Sequence, residues 1–506
     1  MKRGFLACAL FSVLTFFLWA GPNQPQAGDV TVPDGKFSFL SYAPYQAWQA
    51  PGDQHGPTAE QVAADLRLIA TRAEGIRTAS ALQGPDIAAL AGQAGLKLWL
   101  GIRLGADPRE NAREIAAGIK AANAYPGTIT RVIVGDEVLR RHDLPVSDLI
   151  ADIDEVRARV KQNVAYADRP EIWRQFPQVA AHVDVVMVQF QPYGQEPPLS
   201  VDASIAAIRA TTEVFKALFP GQRIAIEAGW PSRGRWRGEA APSRVNEAVF
   251  WREFATLAGG EGVDYDLAEA FDQNWKYRDT GVAGASSGLW TAQRALKFPL
   301  NGAVVEHPDW RWYAALAALM GSLLYGATGF RDPRLLVPAF MLGNGYAIAC
   351  IGTLPLLYGG WQYLEAAVNL LLQAVFAFMV VRRADAVLSG AASPQRDRNT
   401  LEFLFLAAAA IVQALLVFDG RTRDTPLPAF IIPVIAAVLR FWTRDRPQAL
   451  GWKEFCAASA LALLAIADLV MEGAKNLDFV TWNLAALVLA APSLEAKGRL
   501  LFVNKK

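Results

Sequence analysis

From Trp310 onward the chain is a succession of long apolar runs separated by short charged connections, whereas charges are spread through the preceding 305 or so residues. Seven runs stand out, near 311–329, 335–358, 360–381, 401–418, 426–440, 453–471 and 478–491. A helix needs about twenty apolar residues to cross the ~30 Å hydrocarbon core of a bilayer. Several of the runs approach that length; the fifth and the last are short. So many apolar segments have no place in a soluble core, so the 506-residue chain reads as a soluble portion followed by a membrane domain of about seven helices, with a lipid bilayer as its surroundings. The expected division is 28–305 for the soluble domain, 310–495 for the spans and 496–506 for a cytoplasmic tail.

At the other end, Lys2 and Arg3 precede an apolar stretch from Phe5 to Ala20. Residues 1–27 therefore read as a secretory signal peptide or an uncleaved signal anchor. The small residues before Gly21 and Gly28 make poor cleavage sites, which favours retention. Export of the following segment makes a demand on charge. The connections 331–334, 382–400 and 440–453 and the C-terminal tail must then be cytoplasmic. They hold Arg331, Arg334, Arg382, Arg383, Arg396, Arg398, Arg440, Arg444, Arg446, Lys453, Lys497, Arg499, Lys505 and Lys506. The opposite connections hold Arg421, Arg423 and Lys475. Fourteen basic residues against three is the positive-inside asymmetry. Trp310, Trp312 and Tyr313 then fall at the outer interface. Glu365 and Asp468 lie within spans but near their outer ends, where water is expected to reach them.

The net charge of +1 gives no support for a nucleic-acid partner. Cys8, Cys350 and Cys456 all lie in apolar segments, so the soluble portion offers neither a disulfide nor a thiol nucleophile. His55, His142, His182 and His307 are scattered without ligand spacing, and no metal or cofactor is expected.

Eight β-rich runs recur in the soluble portion: Phe37–Tyr42, Gly75–Ser80, Leu96–Ile102, Thr130–Glu137, Asn163–Asp168, Val183–Tyr193, Arg223–Trp230 and Asp264–Gln273. Helical patterns fill most intervals, at 58–71, 85–94, 108–122, 146–161, 200–219 and 243–258. Thr58 and Gln61 have capping-box spacing. Continuous apolar runs such as Val183-Asp-Val-Val-Met-Val suit strands of a parallel sheet covered by helices. Eight strand–helix units in about 270 residues predict a (β/α)₈ TIM barrel. An open doubly wound sheet is the competing reading, but no G-x-G-x-x-G follows the first run to support a dinucleotide site.

In such barrels chemistry sits where strands end at the C-terminal face. The fourth run stops at Asp136-Glu137 and the seventh at Glu227. Strands four and seven face each other across the mouth, and opposed carboxyl groups are what glycosidic bond cleavage uses. A strand-end glutamate is also often an ion-pair partner, and Arg140 and Arg141 are available to Glu137 for that role.

Val134-Gly-Asp-Glu137-Val and Ile226-Glu227-Ala-Gly-Trp-Pro-Ser-Arg-Gly234 resemble the two signature motifs of family 17 glycoside hydrolases, the β-1,3-glucanases and glucanosyltransferases. Phe39–Tyr45, Gly75-Ile-Arg-Thr78, Gln191-Pro-Tyr193, Glu269–Lys276 and Gly284–Leu289 extend the resemblance over most of residues 36–300. The architecture is most similar to membrane-attached bacterial members. The resemblance implies Glu137 as acid/base and Glu227 as nucleophile of a retaining enzyme, with the carboxyl groups ~5–5.5 Å apart. It further implies a β-glucan substrate, transfer of the glycosyl unit to another sugar, and hydrolysis as the alternative outcome. Its setting would be the bacterial inner membrane, with the barrel facing the periplasm or outside, the C-terminus cytoplasmic, and a membrane glucan synthase as candidate partner. The rival from another class is a non-catalytic glucan-binding or export-associated protein.

One position departs from the family pattern, which usually has Asn before the acid/base. Asp136, when ionised, can only accept hydrogen bonds from a sugar hydroxyl. Among the surrounding residues, Tyr193 is a candidate hydrogen-bond partner of the nucleophile and Arg77 its candidate charge partner. Tyr42, at the end of the first strand, is a further substrate-binding candidate, and Tyr45, Trp230 and Trp275 are candidates to line a sugar cleft, since flat rings meet the apolar faces of glucose. Glu269 and Lys276 fit the family pattern near substrate. Gln273 stands where plant members commonly have glutamate.

Overall fold

The computed structural model describes residues 2–26, 30–354, 357, 361–391, 396–419, 424–443 and 451–503. Gly28, Arg421, Arg423, Arg444, Arg446, Lys505 and Lys506 lie outside the described residues. The chain divides into two units, Pro25–Val305 and a second made of Met1–Gln24 together with Glu306–Lys506. Helix α1 (Lys2–Ala20) opens the chain and belongs to the second unit.

The first unit is a barrel. Strands β1 (Phe37–Ser41), β2 (Ala73–Arg77), β3 (Lys97–Ile102), β4 (Ile129–Asp136), β5 (Asn163–Asp168), β6 (Val185–Phe190), β7 (Arg223–Ala228) and β8 (Asp264–Leu267) close in sequence order. All pairs are parallel, including β1 with β8. Between them run α2 (Ala59–Ile69), α3 (Ile87–Gln93), α4 (Pro108–Ala124), α5 (Val146–Arg159), α6 (Pro170–Gln175), α7 (Val201–Leu218) and α8 (Arg244–Glu261), with α9 (Tyr277–Ala285) after β8. The doubly wound reading is thereby excluded. Side-chain oxygens start several helices: Thr58 forms the anticipated capping box with Gln61, and Asp86, Asp107, Ser200 and Ser243 accept from first-turn amides. The six-residue α6 and nine-residue α9 are too short to impress a period on the sequence. The sixth and eighth runs end as strands at Phe190 and Leu267, and the chain beyond them forms rim loops.

Two apolar layers hold the barrel. Outward residues such as Leu40, Ile76, Leu98, Val132, Val164, Val186, Ile224 and Ile226 pack against the helices in the main core. Inward residues Phe39, Trp99, Ile133, Ala165, Ala167, Val185, Met187 and Ala225 fill the barrel itself. Phe39 and Trp99 stack at 4.0 Å, and the Arg131 guanidinium lies 4.0 Å from the Trp99 ring centre. Gly75 makes room for this layer, since a Cβ there would meet the Phe39 ring at 2.2 Å.

The strand period of two then dictates what faces the axis one layer higher. From the inward Phe39, Gly75, Met187 and Ala225, the next inward positions are Ser41, Arg77, Gln189 and Glu227. On β4 the register shifts between Ile133 and Asp136, with Gly135 at φ 84°, so Asp136 rather than residue 135 continues the inward face.

The second unit is helical: α10 (Trp310–Gly326), α11 (Leu336–Thr353), α12 (Trp361–Ser389), α13 (Arg396–Phe418), α14 (Leu427–Thr443), α15 (Trp452–Glu472) and α16 (Leu477–Val503). All seven apolar runs are thus helices, and the last is longer than its apolar core suggested. Among the described residues five segments are long and apolar enough to cross a membrane: Pro333–Thr353, Trp361–Ser389, Asn399–Phe418, Trp452–Glu472 and Leu477–Ala496. Helix α1 packs within this unit, with Phe16 against Trp310 at 4.9 Å and Trp19 Nε1 donating to Asn344 Oδ1 at 2.8 Å.

Away from water, backbone groups freed by a proline must find partners. Pro433 interrupts α14, and Asn369 donates to the Ala429 carbonyl at 3.3 Å. Buried Gln373 donates to the Pro428 carbonyl at 3.1 Å and accepts from the Ile432 amide at 3.2 Å. The expectation of water at Asp468 is corrected. Asp468 is 2% exposed and accepts from Asn483 at 2.8 Å and Gln413 at 3.3 Å, while Trp482 donates to Gln413. Facing side chains of α13 and α16 supply the polar contacts that water would otherwise give. Glu365 is exposed on α12.

Candidate active site

At the C-terminal mouth of the barrel the inward layer becomes polar. Arg77, at the end of β2, is 4% exposed and meets three carboxylates. Its Nη1 donates to Glu227 Oε2 and lies 3.4 Å from Asp266 Oδ2, and its Nη2 donates to Asp136 Oδ2 at 2.5 Å. Gln189 Nε2 bridges Glu227 Oε2 at 2.7 Å and Asp136 Oδ1 at 2.9 Å. Beneath them Ser41 donates to Asp266 Oδ2 at 2.7 Å. The site thus has one guanidinium and one amide holding three acids from β4, β7 and β8.

Glu137 follows on from β4 with φ 51°, a left-handed backbone that a non-glycine residue adopts only at a cost in strain. Its amide donates to the Ala167 carbonyl at 2.9 Å, and its carbonyl accepts from the Arg141 amide at 2.9 Å. Its carboxylate is held by two arginines: Arg169 Nε reaches Oε1 at 2.7 Å and Arg140 Nη1 reaches Oε2 at 2.9 Å. Arg140 was the ion-pair partner anticipated from sequence, whereas Arg141 turns to the Asp136 carbonyl and to Asp143. Behind Arg169, Asp168 is fully buried, accepts from the Arg169 amide at 2.8 Å and from Tyr166, and is pushed up to about 6 by burial.

Burial, with Glu227 beside it, pushes Asp266 up to about 7 against the opposing pull of Arg77. Burial and Glu227 push Asp136 upward too. A carboxyl group raised on folding weakens the fold as it ionises. Below its ordinary value of 3.8 there is no penalty. The penalty grows as pH climbs from about 4 to about 7 and is constant above that. Asp266→Asn is therefore expected to flatten the loss of barrel stability over that interval. Melting curves recorded from pH 5 to pH 8 should show the variant gaining on the native protein as pH rises; parallel curves would refute the assignment.

The other sequence candidates divide. Glu269 and Lys276 pair at 2.5 Å, with Glu269 buried and thereby pushed upward while Lys276 opposes the shift. Trp275 stands beside them, its Nε1 donating to Gln273 Oε1 at 2.9 Å and its ring edge-on to Tyr45 at 6.1 Å. Gln273 is buried and donates to the Ala43 carbonyl, joining the β1 and β8 loops. Two candidates are corrected by strand parity. Tyr42 follows the inward Ser41 and so points outward, where it is 2% exposed and bonds Asp65 at 3.2 Å. Trp230 likewise lies outward of the β7 end; it is fully buried against Phe250 and donates to the Ala241 carbonyl. Tyr193 turns to the loop after β7 and donates to the Arg235 carbonyl at 2.6 Å, while Gln189 takes the place beside Glu227 foreseen for it.

Gln189, Asp266, Arg169 and Ser41 were missed from sequence. Gln189 is legible in hindsight as the polar residue in the otherwise apolar inward phase of β6, and Asp266 as an acid on the inward phase of β8.

The family model of the BtgE/BtgC glycoside hydrolase domain matches residues 40–288, which span the mouth and both glutamates. The barrel is a glycoside hydrolase domain. The chain is similar to glucan 1,3-beta-glucosidase BGL2 of Candida albicans, at 26% identity over 225 residues, covering 40% of this chain and 73% of the relative. It is also similar to a glucan 1,3-beta-glucosidase of Saccharomyces cerevisiae, at 25% identity over 229 residues, covering 41% and 73%. A solved family 17 β-1,3-glucanosyltransferase from Rhizomucor miehei matches at 22% identity with a TM-score of 0.46, covering 52% of this chain and 95% of that one. In the hydrolase domain the charged layer above the aromatic plug is the chemically equipped surface.

Proposed function

We propose that the hydrolase domain acts on β-1,3-linked glucan by a retaining mechanism, with Glu137 as acid/base and Glu227 as nucleophile. The observation carrying this reading is that the two glutamates stand at the ends of β4 and β7 at one mouth, Glu227 held by Arg77 from the end of β2 and Glu137 by Arg140 and Arg169, which follow β4 and β5. The names of the curated relatives support the substrate. In the reaction Glu137 gives its proton to the departing oxygen as Glu227 attacks the anomeric carbon. The incoming hydroxyl then returns a proton to Glu137 as the glycosyl–Glu227 bond breaks. Arg77 and Gln189, both on Glu227 Oε2, fix that carboxylate and leave Oε1 for attack. Asp136, Trp275, Lys276 and Glu269 contact the sugar.

The second step is read as transfer to another sugar, as the likeness to membrane-attached family members favours. Incubation with laminari-oligosaccharides, followed by mass and linkage analysis, is expected to yield products longer than the donor. Exclusively shorter products would leave hydrolysis; no conversion would leave a glucan-binding protein. We further read the barrel as extracytoplasmic on an inner membrane, α1 as a retained anchor and a glucan synthase as neighbour, from the charge asymmetry and the packing of α1 on α10. Protease added to spheroplasts should then remove the barrel; digestion only after lysis would reverse the orientation.

A further inference from the structure

We propose that the helical unit binds the primary-ammonium headgroup of a phospholipid in a cleft between α12, α13, α14, α15 and α16. The cleft is small and partly open, with a cavity volume of about 40 Å³, room for an ammonium group rather than a whole headgroup. Phe376, Leu406 and Leu489 give it apolar walls, and Glu402, Arg440 and Glu454 line it with charge. Glu402 and Arg440 pair at 3.1 Å. Glu454 differs: it is 9% exposed, and among the described residues its Oε2 has no hydrogen-bond partner. Lys453 lies 3.7 Å from the other oxygen; its side chain is mostly exposed and its ammonium sits 4.6 Å from the Phe403 ring centre.

Among the described lining residues two carboxylates, Glu402 and Glu454, stand with one guanidinium beside the apolar walls. An unpartnered buried carboxylate oxygen is costly, and a ligand with N–H donors and positive charge relieves that cost. A primary ammonium offers three N–H donors, whereas a quaternary one offers none. Depth identifies the source. Trp442 and Trp452, near the same ends of α14 and α15, are 52% and 62% exposed. Exposed indoles of that kind mark the headgroup level of a membrane. A lipid of that leaflet would set its ammonium against Glu454, its phosphodiester toward Arg440 and its first methylenes along the apolar walls.

The test uses the full-length protein in detergent micelles, titrated with dioleoyl phosphatidylethanolamine, phosphatidylcholine or phosphatidylglycerol and read by native mass spectrometry. Phosphatidylethanolamine is expected to bind roughly tenfold or more tightly than the other two, the worth of one charge-assisted contact. Glu454→Gln should abolish that preference and leave conversion of laminari-oligosaccharides unchanged. Equal binding of all three lipids to the unmodified protein would overturn the proposal, as would a preference that survives in Glu454→Gln. The headgroup series on the native chain decides the matter even if the variant fails to fold.

Discussion

Glu227→Gln is expected to lower turnover of laminari-oligosaccharides by about 10⁴-fold or more, the scale seen when one member of a catalytic unit is removed. The amide keeps the volume and hydrogen-bonding reach of the side chain but cannot form the glycosyl bond. Glu137→Gln should cost less, about 10²–10⁴-fold, because it removes only proton transfer. The two variants differ in a further way. A donor with an activated aryl leaving group needs no protonation at departure, so its first step should be nearly normal in Glu137→Gln. Azide, which needs no base, should then release the accumulated intermediate as a β-glycosyl azide. In Glu227→Gln neither treatment should help. Equal losses in both variants on the activated donor, with no azide product, would defeat the assignment of roles.

Arg77→Met is expected to destabilise the barrel by about 3–5 kcal/mol at neutral pH, the usual consequence of removing one side of a buried ion pair. Here the effect is compounded, because Glu227, Asp136 and Asp266 all lose the same cation. Protonation can replace that cation, so the loss should shrink as the pH is lowered toward 5. The measurement is the difference in Tm between native and variant protein across pH 5–8. A difference independent of pH would mean that Arg77 acts through packing alone. Activity should fall as well, since Glu227 loses the group that orients it.

The barrel was legible because its strands are near-continuous apolar runs, and Val183–Val188 or Arg131–Val134 can hardly be anything else between two helical intervals. Both glutamates were legible because each closes such a run. Facing direction was less accessible. Tyr42 and Trp230 have the chemistry of a sugar platform but face outward just past the ends of β1 and β7, an odd number of residues after the inward Ser41 and Glu227. On β4 the phase itself changes at Gly135, and nothing in the letters Val-Gly-Asp-Glu announces a register shift. Gln189 and Asp266 were passed over because attention went to strand ends, whereas both sit within β6 and β8. Asp468 was misjudged for a related reason. Its distance along a helix suggested water, but Gln413 and Asn483 come from helices far apart in sequence, and only tertiary packing makes them neighbours.

The Phe39–Trp99–Arg131 stack has a consequence for traffic. It stoppers the barrel axis, so the polar layer opens in one direction only. Whatever departs after the first chemical step must leave by the route along which the next molecule arrives. On the proposed two-step mechanism, water and an incoming sugar would therefore compete for the same vacated berth, and the partition between shortening and lengthening a glucan would be set by which of them occupies it sooner.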